Sequence, residues 1–485
     1  MLVNKKYGGA GMSGTVMKGS GPMRRWTQVL VVVIASVAAL ASTVTTASAL
    51  PAGSSGGSSD GSSGGIDLSF YQAPRGPLPP AGTLIKAKPI RTFFQLPTRN
   101  GPVPAKATLI MYSTTNGLGK VVPVTGYYLE PSKPWAGGGA RPIISYGPGA
   151  HGQGDSCAPS RVLQSVTLAP GGPMAEIESA ITFDLVSRGY GLVSTDYIGL
   201  GMPGVHTFGM RVDQADAVID AGRAVFGLPG VDPDSKVALA GYSQGGQAMS
   251  GAAELLESYA PEFSRKVVGI YAGGIPADLR KVTAFLDGRR LGGAGGLAIN
   301  GAMALYPDWA QHIPKIFNAY GNALMKWLSN QCIVSVSALG SPKTKDWTKS
   351  GKSFGYLMDT DPILHRRVIE QTIGLRKPAA VPILLSSNPV DPTVPPLGGD
   401  DVFRSWCAKG PKSVEYRTIA FPVLGGTAAG HIAGGAAGFQ EAIKWIGDRF
   451  AGKPAAVGCL RRPGVSNGLA AGSSGGGSSS GSLGS

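Results

Sequence analysis

The chain has 485 residues, of which 43% are hydrophobic, and it carries a formal net charge of +15 at pH 7. This composition is normal for a globular protein with a sizeable core, in one large domain or a few ordinary ones. No run of Lys and Arg is interleaved with aromatic residues, so the positive charge does not support a nucleic-acid partner. The charge favours binding to anionic surfaces such as a cell envelope or a lipid–water interface. The alternative is a basic surface that is only solvated.

The N-terminal segment has the parts of an export signal. Basic residues precede an apolar run at residues 29–41, which is shorter than the roughly 20 residues of a comfortable membrane span. Ala47-Ser48-Ala49 then offers a small-residue cleavage site. We therefore expect residues 1–49 to be a signal peptide and the protein to be secreted, with an uncleaved anchor or association with the cell envelope as alternatives.

Two Gly/Ser-rich segments flank the rest of the chain. Residues 50–65 and 465–485 are too polar and too rich in glycine to bury apolar surface, so they are predicted to be a flexible linker and a flexible tail. Residues 66–464 between them are predicted to form the folded domain. They contain no internal repeat of fixed period.

Short apolar runs alternate with helical patterns along this domain. The predicted strands occupy residues 142–146, 191–195, 236–240, 267–272, 381–386 and 414–420. Predicted helices occupy residues 173–188, with Pro173 in the first turn, residues 212–226 and residues 247–259. Such alternation indicates the α/β class, with a mostly parallel sheet and helices on both faces. Residues from about 275 to 375 break the rhythm with aromatic, helical material and are predicted to be an inserted helical cap.

The pattern G-x-S-x-G occurs in this chain in several places, including both flexible segments, and is weak evidence by itself. Only Ser243, in Gly241-Tyr242-Ser243-Gln244-Gly245, follows a predicted strand and precedes a predicted helix. A nucleophile elbow needs that context, because a sharp turn lifts the serine hydroxyl above the sheet. Ser243 is therefore the predicted nucleophile.

A serine hydroxyl needs a histidine to take its proton and an acid to orient that histidine. In hydrolases with this elbow, the acid and then the histidine follow the serine along the chain. His431 is the predicted base, since it follows a predicted strand in what looks like a flexible Gly/Ala loop, whereas His312 and His365 fall in the predicted cap.

The predicted acid is Asp391, which lies just beyond the predicted strand at residues 381–386. The carboxyl ends of parallel strands are where α/β active sites are built. Asp400 and Asp401 are alternatives on a nearby Gly-rich loop, and Asp391 beside its prolines could also serve only to form a turn.

The oxyanion of an acyl-transfer reaction needs two hydrogen-bond donors. The backbone N–H of Gln244 is the first candidate, and the loop at residues 147–157 is expected to supply the second. The chain has no C-x-x-C and no H-E-x-x-H motif, so we expect no metal and no cofactor. Its four cysteines favour two disulfides in an exported protein, and three pairings are open.

Four segments resemble the secretory lipase family, whose members include the Candida secreted lipases and Candida antarctica lipase A. They are residues 145–160 (SYGPGAHGQGDSCAPS), 196–201 (DYIGLG), 241–246 (GYSQGG) and 388–395, in this order. The resemblance covers roughly residues 75–460. It implies an α/β-hydrolase fold with an inserted helical cap, in an actinobacterial-type member that hydrolyses acylglycerols or other lipid esters, with a monomer expected.

By motif position, the resemblance implies a triad of Ser243, Asp391 and His431, with Asp155 as an oxyanion-hole residue beside Gln244. It also implies the disulfides Cys157–Cys332 and Cys407–Cys459. The family's usual segment at the acid resembles H-G-x-x-D, whereas this chain has Ser-Ser-Asn-Pro-Val-Asp at residues 386–391, so the shape of that loop is expected to differ. An acyltransferase, a serine peptidase on the same fold, and a non-catalytic envelope-associated binding protein remain alternatives.

Overall fold

The computed structural model describes residues 66–464, apart from residues 94–96, 99–100, 103–104, 171, 175, 177 and 420–427. The expected signal peptide, linker and tail lie outside the described residues. Within the described part of the chain, no helix is long and apolar enough to cross a membrane.

The strands are numbered here in chain order. They are β1 (Leu84–Ile90), β2 (Pro97–Thr98), β3 (Gly101–Pro102), β4 (Ala105–Thr115), β5 (Val121–Pro131), β6 (Ile143–Gly147), β7 (Thr167–Ala169), β8 (Gly172–Met174), β9 (Gly191–Thr195), β10 (Val237–Tyr242), β11 (Val267–Gly273), β12 (Ile383–Ser387), β13 (Ser413–Thr418) and β14 (Gly458–Pro463).

The helices are numbered in the same way. They are α1 (Pro159–Val162), α2 (Ser179–Ser187), α3 (Arg211–Ala224), α4 (Gln244–Tyr259), α5 (Pro261–Ser264), α6 (Leu279–Leu286), α7 (Gly293–Leu305), α8 (Pro307–Ile316), α9 (Ala319–Leu328), α10 (Ile333–Ala338), α11 (Phe354–Thr360), α12 (Pro362–Glu370), α13 (Gly398–Cys407) and α14 (Ala428–Phe450).

A ten-stranded sheet organises the domain, in the order β1-β4-β5-β9-β6-β10-β11-β12-β13-β14. Pairing is parallel from β9 through β6 to β14, and β1, β4 and β5 add an antiparallel edge. The central strands β6, β9, β10 and β12 are buried along their whole length, as in parallel sheets that helices cover on both faces. The predicted fold class is confirmed.

Successive side chains of one strand enter different cores, because strand residues alternate between the two faces of a sheet. Leu239 of β10 packs into a core with α3 and α4 residues such as Ile219 and Leu256. Its neighbours Ala238 and Ala240 pack on the opposite face with Phe183 of α2 and with residues of α14. Helices therefore cover both faces around the strand that leads to Ser243.

Seven helices, α6 to α12, lie between β11 and β12. They have a hydrophobic core of their own, which includes Trp309, Phe317, Trp347 and Phe354. Since this core contains no sheet residue, the segment forms a separate helical layer, in the part of the chain where the sequence predicts the cap.

The predicted helix at residues 173–188 is wrong in its first part. Pro173 lies in β8 and pairs with Leu168 of β7 in a short hairpin, and α2 begins only at Ser179. The apolar residues of this segment have helical spacing, which predicts one long helix. The residues around Pro173 instead form backbone hydrogen bonds in the β7–β8 hairpin, so the helix begins after them.

Both disulfides have the expected partners. Cys157–Cys332 joins the segment after β6 to the start of α10 in the cap, and Cys407–Cys459 joins α13 to β14. The first bond closes a sequence separation of 175 residues and the second one of 52.

Candidate active site

Ser243 occupies a sharp turn between β10 and α4, with φ of 61° and ψ of −120°. In the described part of the chain, Tyr197 is the only other non-glycine residue with positive φ. Such a conformation is costly for a residue with a side chain and persists only where the surroundings enforce it. The N–H of Ser243 donates to Gly273 O at 2.9 Å, which fixes the turn against β11.

Three glycines around Ser243 allow backbone to approach the turn. A Cβ on Gly245 would lie 1.9 Å from Gly147 O, and one on Gly246 would lie 2.1 Å from Gly273 O. A Cβ on Gly241 would lie 2.6 Å from the carbonyl oxygen of Gly245. The glycines of the motif are therefore needed because neighbouring strand ends leave no room for a side chain.

Asp391 and His431 are paired beside this turn. His431 Nδ1 lies 2.7 Å from one carboxylate oxygen of Asp391. The other oxygen accepts the backbone N–H groups of Thr393 and Val394, at 2.8 and 3.0 Å. Burial raises the pKa of Asp391, but the hydrogen bond and charge of His431 and these two N–H groups outweigh it and hold the pKa below its usual value. Asp391 is therefore ionised and faces Nδ1.

The predicted flexible loop at residues 425–431 is wrong in its last part, since residues 428–431 are helical, and residues 425–427 lie outside the described residues. His431 is buried in the first turn of α14. Glycines farther along α14 are packing positions, since a Cβ on Gly435 would lie 2.9 Å from the ring of Tyr242, and one on Gly438 would lie 2.7 Å from the hydroxyl oxygen of Tyr271. Small residues let the helix approach the sheet closely and carry the imidazole to Asp391.

Tyr242 connects the nucleophile turn to the other two side chains. Its ring centroid lies 5.0 Å from that of His431, and its hydroxyl donates to Asp391 at 3.3 Å. His431 Nε2 is buried and has no hydrogen-bond partner among the described residues. The imidazole therefore has a free nitrogen beside Tyr242, the residue before Ser243, and no hydrogen bond joins it to Ser243 among the described residues.

Gln244 is the first residue of α4, where backbone N–H groups have no partner within the helix. Its side-chain amide donates to His206 Nε2 at 2.8 Å, while His206 Nδ1 lies 3.0 Å from Ile198 O. Burial lowers the pKa of His206 to about 4, so the ring is neutral, with its proton on Nδ1. A neutral donor–acceptor chain thus holds the Gln244 side chain.

The loop after β6 lies against the start of α4. The space that a Cβ on Gly149 would occupy is 3.8 Å from Tyr242 O. Asp155, farther along this loop, faces Arg161 and the backbone of Gly201, and burial raises its pKa. Among the described residues no hydrogen bond joins Asp155 to Ser243 or Gln244, and its role stays a prediction.

The cap is attached to this same loop. The N–H groups of Gln153 and Gly154 both donate to Gln331 O, at 2.9 and 3.2 Å. The Gln153 amide donates to Leu297 O in α7 at 3.0 Å, and Asn300 of α7 donates to Gln153 at 3.1 Å. Together with Cys157–Cys332, these bonds make the position of the loop depend on the cap.

The alternative candidates from the sequence lie elsewhere. His312 pairs with Asp361 at 2.6 Å and His365 contacts Met358 O at 3.1 Å, both within the cap. Asp400 pairs with Arg404 and Arg461, and Asp401 pairs with Lys281. Among the residues that the structure describes, no group of three His, Cys, Asp or Glu side chains is placed to hold a metal ion.

Sequence reasoning missed Tyr242 and His206 as parts of the site. Tyr242 stood in the motif, but its hydroxyl meets Asp391 across 149 residues of sequence. His206 meets Gln244 across 38 residues, and no local pattern marks either contact.

Comparison with known proteins gives consistent matches. A family model described as secretory lipase matches residues 170–458. Lipase 10 and Lipase 2 of Candida albicans are each 28% identical to this chain, over 66% and 70% of it and 68% and 70% of their own lengths. Secreted triacylglycerol lipase LIP4 of Malassezia globosa is 28% identical over 63% of this chain and 65% of its own. The expectation of an actinobacterial-type member gains no support from these matches and stays a prediction.

Solved structures show the same fold. The closed state of Candida antarctica lipase A matches with a TM-score of 0.67 at 22% identity, covering 82% of this chain and 89% of that one. The rice cell wall degrading esterase LipA from Xanthomonas oryzae matches with a TM-score of 0.60 at 19% identity, covering 77% of this chain and 100% of that one. At these identities the likeness is one of fold.

Proposed function

Since this chain belongs to the secretory lipase family and is an ester hydrolase of the lipase kind, we propose that it cleaves carboxylic esters of acylglycerols through Ser243, His431 and Asp391. The observation that carries this proposal is the state of the imidazole. Nδ1 of His431 is bound to the Asp391 carboxylate, which places the proton on Nδ1. Nε2 is buried and has no partner among the described residues, so it is the nitrogen available to the serine hydroxyl.

In the proposed reaction, His431 Nε2 takes the Ser243 hydroxyl proton while the serine oxygen attacks the ester carbonyl carbon. Asp391 stabilises the imidazolium that forms, and its own pKa is already held low. The tetrahedral intermediate then collapses: the C–O bond to the alcohol breaks, and the alcohol leaves with the proton from Nε2. Water repeats the sequence on the acyl-enzyme, and the fatty acid is released.

The oxyanion in this scheme is stabilised by the Gln244 N–H, at the positive end of α4. Asp155 remains the family-based proposal for a second group near the oxyanion. Since a negative carboxylate would repel the oxyanion, Asp155 could take part only as a protonated donor or through its backbone. Burial raises the pKa of Asp155, which favours the protonated form that a side-chain donor requires.

Secretion and a lipid substrate belong to the same proposal. They are supported by the family, by the two disulfides and by the export-like N-terminus. We propose that the mature chain begins at Leu50 and acts on lipid esters outside the cell. N-terminal sequencing of the exported protein tests the cleavage position.

A fluorophosphonate probe tests the nucleophile. The mature chain is expected to be labelled on Ser243, and Ser243→Ala is expected to lose both labelling and ester hydrolysis. Ser474→Ala is the matched control, because Ser474 is the central serine of a G-x-S-x-G match in the C-terminal tail. A folded protein that is not labelled on Ser243 would contradict the proposal.

The substrate is tested by fatty-acid release from emulsified triacylglycerols and by a chain-length series of nitrophenyl esters. Turnover of emulsified acylglycerols supports a lipase. Peptide turnover, or acyl transfer to an alcohol that exceeds hydrolysis, would replace the acylglycerol proposal with a peptidase or an acyltransferase.

A further inference from the structure

Three titratable side chains lie in or beside the loop that follows β6, and the proposed reaction does not use them. This carboxylate cluster consists of His151, Glu176 and Glu178. His151 Nε2 lies 3.2 Å from Glu176, and the two side chains are only 2% and 1% exposed. Glu176 also accepts the backbone N–H of Glu178 at 3.1 Å. Burying ionisable groups is costly, so their position next to the nucleophile turn calls for a role.

The carboxylate cluster binds both polar groups of Gly149. The Gly149 N–H donates to the two carboxylate oxygens of Glu178, at 3.1 and 3.0 Å. On the other side, His151 Nδ1 lies 3.0 Å from Gly149 O. Burial opposes a charge on His151, but Glu176 outweighs it and raises the pKa of His151 to about 9. The ring is therefore protonated at neutral pH, and Nδ1 donates to the Gly149 carbonyl.

Holding Gly149 O also fixes the next N–H group. In a trans peptide the C=O and the following N–H point in opposite directions. The Ala150 N–H therefore points away from His151, and it donates to no described residue. Gly149 itself lies against Tyr242 O, one residue before Ser243. A second oxyanion donor must be an N–H of this loop that has no other acceptor, and the Ala150 N–H meets that requirement.

We propose that His151, Glu176 and Glu178 are positioning residues, which hold the Gly149–Ala150 peptide so that the Ala150 N–H and the Gln244 N–H bind the oxyanion together. The inference rests on the proposed ester hydrolysis at Ser243. It assigns the second oxyanion donor to the backbone N–H of Ala150, which lies next to the charged His151, and not to Asp155.

The carboxylate cluster also predicts two ionisations. Burial and the neighbouring Glu176 raise the pKa of Glu178 to about 7. Below that pH a neutral acid replaces the carboxylate that accepts the Gly149 N–H. Above about pH 9, His151 loses the proton that Nδ1 donates. The other titratable groups that face Glu178 are the tyrosines 127, 146 and 197, whose pKa values are raised well above their usual value and which stay neutral throughout.

The test compares His151→Leu with His151→Asn in the mature chain. Leucine removes the donor to Gly149 O, whereas the asparagine amide can replace Nδ1. We expect His151→Leu to lower kcat roughly 10- to 100-fold with little change in KM, since a misplaced oxyanion donor acts mainly on the transition state. Affinity for a trifluoromethyl ketone, which forms a tetrahedral adduct, should fall in parallel, and His151→Asn should recover part of both.

His365→Leu is the matched control, because Nδ1 of this cap histidine also contacts a backbone carbonyl, Met358 O; it should keep the wild-type kcat. If His151→Leu does not fold, Glu178→Gln replaces it. That variant removes the charge that accepts the Gly149 N–H, and it should lower kcat and ketone affinity in the same direction as His151→Leu.

Two outcomes overturn the proposal: folded His151→Leu with wild-type kcat and ketone affinity, or folded Glu178→Gln with wild-type kcat and ketone affinity. Either result, in a protein still labelled on Ser243, refutes this inference alone. A wild-type chain that is not labelled refutes the proposed function instead.

Discussion

The side-chain amide of Gln244 donates a hydrogen bond of 2.8 Å to Nε2 of a buried, neutral His206. The bond ties the residue after Ser243 to the segment that follows β9. His206 itself is held by Ile198 O and by stacking on Tyr197, at 5.6 Å between ring centroids. The start of α4 is therefore supported from outside the helix.

Replacing His206 with phenylalanine should keep the stacking and remove the acceptor. A buried amide left without a partner costs about 1–3 kcal/mol, so we expect a lower Tm and a several-fold fall in kcat. His206→Gln, which retains an acceptor, should lose less of both. Calorimetry measures Tm and ester hydrolysis measures kcat. Equal losses of Tm and kcat in His206→Phe and His206→Gln would show that the hydrogen bond from Gln244 to His206 does not cause the effect.

Acid should destabilise the protein through the same residue. The pKa of His206 is lowered from 6.5 to about 4 by burial, so the unfolded chain binds more protons than the folded one as pH falls. The contribution of this group is complete above pH 6.5 and declines towards pH 4. The difference in unfolding free energy between the wild type and His206→Phe should therefore shrink over this range, as urea titrations can measure.

Gly245→Ala should abolish the site. The new Cβ would lie 1.9 Å from Gly147 O, so either β6 or the elbow must move, at a cost of about 1–3 kcal/mol or more. Fluorophosphonate labelling should be lost, and Tm should fall. Gly138→Ala is the control, because a Cβ there meets nothing within 4 Å. Full labelling of Gly245→Ala would contradict the close packing of the elbow.

A buried aspartate on α3 predicts sensitivity to alkali. Burial and the neighbouring Asp220 and Asp213 raise the pKa of Asp216 to about 8, and one of its carboxylate oxygens has no partner among the described residues. The folded state therefore holds this proton more tightly than the unfolded state, and stability declines as pH rises from about 4 to 8.

Asp216→Asn imitates the protonated form. Relative to the wild type it should be neutral at pH 5 and more stable at pH 9 by roughly 1–3 kcal/mol, since it removes a buried charge. The exposed Asp234 offers the control Asp234→Asn. Thermal unfolding at both pH values measures the effect, and a pH-independent difference between Asp216→Asn and the wild type would count against this assignment.

The two disulfides should differ in their effects on catalysis. Replacing either pair by alanine should cost roughly 2–5 kcal/mol of stability. The pair Cys157–Cys332 also secures the loop that lies beside the nucleophile turn, so its loss should lower kcat at temperatures where the protein remains folded. Loss of Cys407–Cys459, between α13 and β14, should leave kcat unchanged. Equal kcat values in the two double variants would disprove the distinction.

Much of this architecture could be predicted from local sequence. The strand before Ser243 and the helix after it predict the turn on which Ser243 lies, and the buried strand before Asp391 predicts the position of that residue. Both signals are local, because strand, turn and helix follow one another within a few residues. The order of strands in the sheet needs contacts between distant segments, which periodicity does not contain.

The environment of His431 shows why the rest could not be predicted. Glycine is a poor helix former, so Gly425, Gly426 and Gly430 favour a loop that reaches His431. In the structure residues 428–431 are helical, and Gly434 and Gly435 of the same helix pack on Tyr242, a tertiary contact that supports the helix. The carboxylate cluster was hidden for a similar reason: His151 and Glu176 are 25 residues apart, and a hairpin brings them together.

The attachment of the cap to the loop beside Ser243 has a consequence for when the enzyme matures. A disulfide such as Cys157–Cys332 does not persist in a reducing cytoplasm and forms in an oxidising compartment. A newly synthesised chain therefore lacks the covalent link between cap and loop until it has left the cell interior. If Cys157–Cys332 supports kcat as predicted above, the chain reaches full activity only after export.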